Sequence, residues 1–198
     1  VRSSAASDVY KRQIQGWVCG SNRFIENILQ AAARKKWSGL FPNRIRKGFM
    51  YQNILVINTM HIGDLMLITP ALRTLRTNYP QAHIALLTDR PLGDLVRCNK
   101  NIDECILIDK RGRDKGILAL LRLIRKIRGR HFDLVINFHR NERASAIAAF
   151  SGGKHIVGYS QPGFKRFFNK VMPNRAMADT RKELAEHQVA CHLEVLRE

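Results

Sequence analysis

The stretch Ile54–Leu75 reads ILVINTMHIGDLMLITPALRTL, and it decides the fold. It begins with four apolar residues rich in β-branched side chains, which is typical of a buried strand. A short turn containing Gly63 and Asp64 follows, and then an amphipathic run that extends to Tyr79. Thr69 followed by Pro70 is typical of a helix start, with Thr69 as the cap. The stretch therefore predicts a strand, a tight turn and a helix over Asp64–Tyr79 in two pieces.

Short apolar runs continue to alternate with amphipathic segments downstream of this stretch. The pattern predicts strands at Ala82–Leu87, Glu104–Ile108, Phe132–Asn137 and His155–Val157, and helices at Leu92–Arg97, Lys115–Arg128 and Arg143–Phe150. Continuously apolar strands that alternate with helices are typical of a parallel sheet covered on both faces. The predicted fold class is therefore α/β, with a doubly wound, mostly parallel sheet.

The helix Lys115–Arg128 has two predicted sides. Asp114 is positioned to cap it. Its apolar residues form one stripe typical of a core-facing surface: Ile117, Leu118, Leu121, Ile124 and Ile127. Its polar side carries basic residues that either face solvent or lie against anionic lipid: Arg122, Arg125, Lys126, Arg128 and Arg130.

The chain of 198 residues divides into three zones. Residues 1–13, VRSSAASDVYKRQ, resemble translated sequencing-adapter sequence and are excluded from the fold as a sequencing artefact. Residues 14–50 form a basic N-terminal extension, interpreted either as an amphipathic helix on an anionic membrane or as a solvated segment capping the domain. Residues 51–198 are predicted to form one Rossmann-like domain. The helical pattern from Thr180 stops without a glycine cap, which suggests a truncated chain.

Basic residues outnumber acidic residues by 34 to 16, giving a net charge of +18. Such a surplus favours a polyanionic partner, which could be nucleic acid, an anionic membrane or a phosphorylated substrate. The sequence contains no apolar run of the roughly 18–20 residues that a membrane span needs. Its four cysteines are scattered without a CxxC pair, which argues against a zinc site or a disulfide framework.

The turn after the first strand is where an open α/β sheet is expected to bind its ligand. Neither GxGxxG nor GxxxxGK[ST] is present there, so the usual signals for dinucleotide and nucleoside-triphosphate binding are missing. Gly63 allows a tight turn close to a ligand, and the carboxylate of Asp64 is placed to deprotonate a substrate hydroxyl. The alternative is that Asp64 only caps the helix. His61 could tune the pKa of Asp64, bind a phosphate, or have no role.

From Asn53 onwards the chain resembles the N-terminal domain of the heptosyltransferases of glycosyltransferase family 9, which act in lipopolysaccharide core synthesis. Four segments carry the resemblance in order: ILVINTMHIGDLMLITPALRTLRTNYP, AHIALLTDRPLGDLVRCNKNIDECILID, FDLVINFHRNERASAIAAFSGGKHIVGY and HQVACHLEVLRE. The sequence departs from the family pattern at Asn58, where a basic residue is usual, and at His61, where a small or varied polar residue is usual.

The resemblance implies the GT-B architecture, in which two Rossmann-like domains face each other across a cleft. Residues 51–198 would be the acceptor domain, and the C-terminal donor domain would be missing, leaving this fragment inactive alone. Asp64 would be the catalytic base of an inverting transfer, and the reaction would require no metal or other cofactor. The donor would be a nucleotide-sugar, ADP-heptose, and the acceptor an anionic lipid-linked glycan such as the lipopolysaccharide core. Such an enzyme is expected in the cytoplasm, peripheral on the inner face of the inner membrane.

Further substrate contacts are expected at three places. The first turn contributes Thr59, His61 and Gly63, the loop after the fourth strand contributes Arg140 and Arg143, and the segment GFKRFFNK contributes Lys165 and Arg166. Arginine side chains can fork a carboxylate or a phosphate. Alternatively, the loop after the fourth strand is only polar, with Asn141 or Glu142 capping the next helix, and the phenylalanines of GFKRFFNK anchor it to the core.

Two other functions are compatible with the sequence. One is a family relative that uses a different nucleotide-sugar or acceptor. The other is a basic nucleic-acid-binding module, which the charge of +18 alone would permit. The sequence contains no recognised RNA or DNA motif, and its basic residues are interleaved with strands and helices instead of being grouped with aromatic residues. We therefore expect a transferase that does not bind nucleic acid.

Overall fold

The computed structural model describes residues 50–110, 112–171, 192–193 and 195–196. Its sheet has six strands: β1 Asn53–Ile57, β2 His83–Asp89, β3 Glu104–Ile108, β4 Leu134–Asn137, β5 His155–Gly158 and β6 Lys170–Val171. All neighbouring strands are parallel, in the order β3-β2-β1-β4-β5-β6. The chain winds outward in one direction from β1 and in the other from β4, as in doubly wound dinucleotide-binding folds. The predicted fold class is confirmed.

Five α-helices connect these strands in the described part of the chain: α1 Ile62–Leu67, α2 Thr69–Asn78, α3 Gly93–Val96, α4 Ile117–Arg128 and α5 Glu142–Phe150. Two 3₁₀ segments, Arg90–Leu92 and Pro162–Phe167, precede α3 and β6. Among the helices described, none has the length and apolar character required to cross a membrane.

The core lies on both faces of the sheet, and β1 contributes to each. Ile54 and Val56 belong to a cluster that includes side chains from α1 and α2. Leu55 and Ile57 belong to a second cluster with side chains of α4 and α5. All four are fully buried, and burial of such a side chain stabilises the fold by roughly 1.5–3 kcal/mol. This central position explains why the apolar run of β1 is continuous instead of alternating with polar residues.

Most boundaries lie within two residues of the prediction, but the caps predicted at Thr69 and Asp114 are wrong. Thr69 is the first residue of α2, and Ile68 occupies the cap position. α4 begins at Ile117 with Gly116 as its cap. The Asp114 carboxylate instead accepts a hydrogen bond from the backbone N–H of Asp109, 2.8 Å away, and so closes the turn after β3. β6 was not predicted, because two residues are too few to show a period.

The predicted apolar stripe of α4 is only partly buried. Ile124 and Ile127 pack into the core, whereas Ile117, Leu118 and Leu121 are 76%, 71% and 55% exposed. Successive helical residues are separated by about 100° around the axis. The five stripe residues consequently span about half of the helix circumference, and the sheet covers only the side on which Ile124 and Ile127 lie. The remaining three point into solvent.

Predictions for the ends of the chain fall largely outside the described residues. This applies to the artefact assigned to residues 1–13, to nearly all of the extension assigned to residues 14–50, and to most of the helix predicted from Thr180. The four described residues near the C-terminus are buried, and Leu193, Val195 and Leu196 join the cluster that contains α1 and α2.

Candidate active site

The candidate site lies at the carboxyl ends of β1 and β4, where the strand order reverses. Ile57 and Asn137, the last residues of these two strands, are paired in the sheet. The loops that leave them must diverge, because one leads to α1 on one face and the other to α5 on the opposite face. A crevice at this point is the usual ligand site of a doubly wound sheet.

Asn58 fixes the backbone of the turn after β1. Its side chain is buried, and Oδ1 accepts a hydrogen bond from the backbone N–H of Met60 at 3.1 Å. Its Nδ2 donates to the carbonyl of Asp64 at 3.3 Å. The amide therefore connects the beginning of the turn to α1. A neutral side chain that can both donate and accept suits this position, where the family resemblance would place a basic residue.

Asp64 is the third residue of α1 and is partly exposed at the edge of the crevice. Its Oδ2 accepts a hydrogen bond from the backbone N–H of His61 at 3.3 Å. The cap position itself belongs to His61, so the alternative that Asp64 is the cap residue is wrong; its carboxylate instead supports the helix start from the third position. This role does not remove the carboxylate from solvent. Beside it, a Cβ atom added to Gly63 would meet nothing within 4 Å, which leaves open space for a ligand next to Asp64. His61 itself is exposed.

Thr59 and His139 connect the two loops across the crevice. Thr59 is 3% exposed, and its Oγ1 lies 2.6 Å from Nδ1 of His139. Either atom can be the donor, depending on the imidazole tautomer. Burial lowers the pKa of His139 to about 4; the positive charge of Lys110 acts in the same direction, and the carboxylate of Asp64 opposes it. His139 is therefore neutral at neutral pH and can act as either donor or acceptor.

Lys110, at the end of β3, contributes a positive charge to the same edge. Its Nζ donates to the carbonyl of Thr59 at 2.6 Å and lies 3.3 Å from Oδ2 of Asp89, the last residue of β2. Sequence reasoning missed both Lys110 and Asp89 as site residues. A usable signal existed, because both residues end or follow a predicted strand, and the carboxyl ends of parallel strands meet at one edge.

The two arginines after β4 have different surroundings. The guanidinium carbon of Arg140 is 4.3 Å from the ring centroid of Tyr159, in a cation–π arrangement next to the crevice. The guanidinium of Arg143 donates to the carbonyls of Asp114 and Lys115, and so joins α5 to the loop before α4. Asn141 caps α5 through a 2.7 Å hydrogen bond from the backbone N–H of Ala144, which confirms the capping interpretation for this residue.

Lys165 and Arg166 are exposed on the 3₁₀ segment Pro162–Phe167. This segment is held at the C-terminal end of α5, where the rings of Phe164 and Phe167 lie 6.2 and 5.1 Å from the ring of Phe150. Both rings also pack against the core cluster of α4 and α5, as predicted for core anchors. The crevice, in contrast, adjoins the N-terminal end of α5, so these contacts do not bring Lys165 and Arg166 together with Asp64.

No set of three or more histidine, cysteine, aspartate or glutamate side chains is grouped to hold a metal ion within the described ranges.

Comparisons with known proteins identify similar chains. No protein-family model matches. Lipopolysaccharide heptosyltransferase 3 of Escherichia coli (strain K12) is 37% identical over 78 residues, which are 38% of this chain and 22% of the relative. A solved glycosyl transferase family 9 structure from Veillonella parvula DSM 2008 is 35% identical with a TM-score of 0.66, covering 75% of this chain and 42% of its own.

A solved E. coli heptosyltransferase with ADP-2-deoxy-2-fluoro heptose has a TM-score of 0.57 at 15% identity. The alignment covers 73% of this chain and 47% of the heptosyltransferase chain, and it shows that the two share a fold. The chain thus spans less than half the length of each of these three relatives. The resemblance found in the sequence is confirmed: the chain is similar, in sequence and in fold, to proteins of glycosyltransferase family 9 over about three quarters of its length.

Proposed function

We propose that the protein is an inverting glycosyltransferase of the heptosyltransferase type, which transfers a sugar from a nucleotide donor to an anionic lipid-linked glycan. The observation that carries the proposal is the crevice between β1 and β4, in which a partly exposed carboxylate, Asp64, lies next to open space and near the neutral imidazole of His139. The domain that forms this crevice is 35% identical to a solved family 9 glycosyl transferase.

In the proposed reaction, Asp64 removes the proton from an acceptor hydroxyl. The hydroxyl oxygen then forms a bond to the anomeric carbon of the sugar, while the bond from that carbon to the diphosphate oxygen of the donor breaks. Attack opposite the leaving group inverts the anomeric configuration. A positioned general base contributes typically about 10²–10⁴-fold to such a step. His139 and Arg140 lie at the same edge, where they can orient the acceptor.

The proposed substrates follow from the relatives and from charge. One relative is named a lipopolysaccharide heptosyltransferase, and another was solved with an ADP-heptose analogue. These names support ADP-heptose as the donor and the lipopolysaccharide core, or a related lipid-linked glycan, as the acceptor. The net charge of +18 suits an acceptor that carries acidic sugars and phosphates.

We propose further that the described domain holds the acceptor, and that the donor binds residues outside it. Under this proposal the domain alone is inactive, and transfer requires no metal or other cofactor. The acceptor places the enzyme in the cytoplasm, on the inner face of the inner membrane. Gly63, Thr59, His61 and Arg140 are the acceptor contacts supported by their position at the crevice. Contacts from Arg143, Lys165 and Arg166 stay predictions.

The substitution Asp64→Asn tests the proposal in the whole protein. We expect kcat for transfer from ADP-heptose to fall by roughly 10²–10⁴-fold. Donor affinity measured by calorimetry should not change, because asparagine keeps the shape and an acceptor oxygen for the N–H of His61. Asp94→Asn is the matched control, since Asp94 also lies in the first turn of a short helix, but that helix follows β2 and not β1 or β4. Unchanged turnover in Asp64→Asn would remove this residue from the mechanism.

The donor sugar is tested separately by offering ADP-heptose and ADP-linked hexoses to the same preparation. Preference for a hexose would identify the protein as a family relative with a different donor, and would leave the role of Asp64 intact. Transfer measured with and without EDTA tests the expectation that no metal is required, because a metal-dependent enzyme would lose activity.

A further inference from the structure

The start of α4 presents an apolar surface to solvent. Ile117, Leu118 and Leu121 are all more than half exposed. Leu118 and Leu121 are three residues apart and Ile117 and Leu121 four apart, so their side chains adjoin on one face of the helix. Single exposed apolar residues are common, but contiguous large aliphatic side chains mark an interaction surface. We call these three residues the α4 patch.

Basic residues continue the same helical face. Arg122 follows Leu118 by four residues and Arg125 follows Leu121 by four, and both are exposed. α4 contains no acidic residue. From Lys110 to His131 the chain carries nine lysines and arginines against one aspartate, a net 9 − 1 = +8, so these 22 residues hold close to half of the total charge of +18. The chemistry next to the patch is therefore cationic.

A groove of about 600 Å³ lies between α4 and the edge strand β3. Arg113, Arg122 and Lys126 are among its lining residues. Its acidic groups already accept hydrogen bonds within the protein: Glu104 from Arg130, Asp109 from the backbone N–H of Gly112, and Asp114 from the backbone N–H of Asp109. The groove thus offers cationic side chains to a phosphate group directly beside the apolar patch.

The α4 patch lies at the same edge of the sheet as the crevice. α4 begins after the carboxyl end of β3, and Lys110 joins this connection to the crevice through the carbonyl of Thr59. Arg143, in the first turn of α5, donates to the carbonyl of Asp114 just before α4. A flat surface that contacts the start of α4 would therefore also lie close to the opening beside Asp64.

We propose that the start of α4 docks onto an anionic phospholipid membrane. The α4 patch enters the boundary between headgroups and acyl chains, while Arg122, Arg125 and Lys126 pair with lipid phosphates. Apolar side chains flanked by cations without an acidic neighbour on the helix are complementary to such a surface, whereas a protein partner would need shaped and satisfied polar contacts. The inference rests on the proposed function for its setting, because a lipid-linked acceptor brings the enzyme to a membrane.

Sedimentation of the whole protein with lipid vesicles tests the proposal. We expect binding to phosphatidylcholine vesicles that contain phosphatidylglycerol, and little binding to phosphatidylcholine alone. The double variant Leu118→Gln/Leu121→Gln should bind anionic vesicles at least about tenfold more weakly, because it loses the apolar insertion. Arg122→Gln/Arg125→Gln should weaken binding as well and reduce its dependence on salt.

The matched control is Met50→Gln, which changes an apolar side chain that is 88% exposed but lies before β1, away from α4. It should bind as the unchanged protein does. Thermal unfolding of each variant shows that the fold is retained, since exposed positions contribute little to stability. Transfer to an acceptor freed of its acyl chains should be unaffected in the α4 variants.

Three results would overturn the docking site. The first is that the unchanged protein does not bind anionic vesicles, and the second is that both α4 variants bind them as well as the unchanged protein does. The third is that binding is lost only when residues 14–50 are removed, which would assign the membrane contact to the extension. The proposed function fails differently: a protein that binds vesicles through α4 but transfers no sugar to a soluble acceptor would keep the docking site and lose the transferase assignment.

Discussion

Thr59 has a structural role that can be measured separately from catalysis. Its hydroxyl shares a 2.6 Å hydrogen bond with Nδ1 of His139, and its side chain is buried. Thr59→Val keeps the shape but leaves the imidazole nitrogen without this partner. We expect the free energy of unfolding to fall by about 1–2 kcal/mol in urea titration. Thr77→Val, at an exposed helical threonine, is the control and should change stability by no more than roughly 0.5 kcal/mol.

His192 makes stability depend on pH. It is 2% exposed, with its ring centroid 4.9 Å from that of Phe138. Burial lowers its pKa to about 4, and the charge of Arg140 adds to the effect. In the unfolded chain this histidine has a pKa near 6.5, so between pH 6.5 and 4 it is protonated when unfolded and neutral when folded. The contribution of His192 to stability is therefore complete above about pH 6.5 and declines as the pH falls towards 4.

The measurement is urea unfolding at pH 7.5 and pH 5. His192 should contribute up to about 2 kcal/mol of the loss at pH 5, and His192→Phe should remove that contribution. His139, whose pKa is lowered in the same direction, leaves a residual decline. An identical decline in His192→Phe would contradict the assignment.

The sequence predicted the position of Asp64 and Thr59 because both follow a recognisable strand, and strand ends define the ligand edge. It did not predict their partners. Thr59 and His139 are 80 residues apart, and Thr59 and Lys110 are 51 apart. Pairing across such distances depends on strand order, which one sequence does not contain. Arg143 shows a further limit, since residue type did not predict that its guanidinium binds the backbone carbonyls of Asp114 and Lys115.

Among the described glycines, Gly158 at the end of β5 has the least room for a side chain. Gly158 has φ of +119°, and a Cβ there would lie 2.2 Å from the carbonyl oxygen of Asn137 in β4. Gly158→Ala combines a strained backbone with a clash against backbone. We expect destabilisation of more than about 3 kcal/mol, measured by urea unfolding.

Gly163→Ala is the matched control for this prediction. A Cβ at Gly163 would meet nothing within 4 Å, and the residue lies in an exposed 3₁₀ segment. Its stability should change by less than about 1 kcal/mol. Equal stabilities for the two alanine variants would show that β5 can shift away from β4 without cost.

Element types were predictable because periodicity and strand length are local properties. The caps of α2 and α4, and the burial of α4, were not. Asp114 has the residue type of a cap, yet its carboxylate closes the turn that follows β3. Ile117, Leu118 and Leu121 continue the apolar stripe, yet the sheet ends before it covers them. Helical periodicity reports which side of a helix is apolar, whereas the extent of the neighbouring layer decides how much of that side is buried.

At the scale of the whole molecule, the charge of +18 leads to a prediction about nucleic acid. We expect no nucleic-acid partner: any attraction to double-stranded DNA should be weak, independent of sequence, confined to low salt and lost at physiological ionic strength. Filter binding across a salt series measures this. Tight binding that persists at physiological salt and prefers one sequence would favour the nucleic-acid-binding module over the transferase.

The hydrogen bond between Thr59 and His139 also has a consequence for folding. It joins segments that meet only after β4 has been added beside β1, and contacts of such long sequence separation form late because the intervening loop must first be closed. We consequently expect the crevice to be absent from partly folded chains. A ligand that occupies it binds the native state alone, and by mass action raises the population of folded protein. The acceptor would then act as a folding stabiliser of its own enzyme, most strongly in variants whose sheet is weakened between β1 and β4.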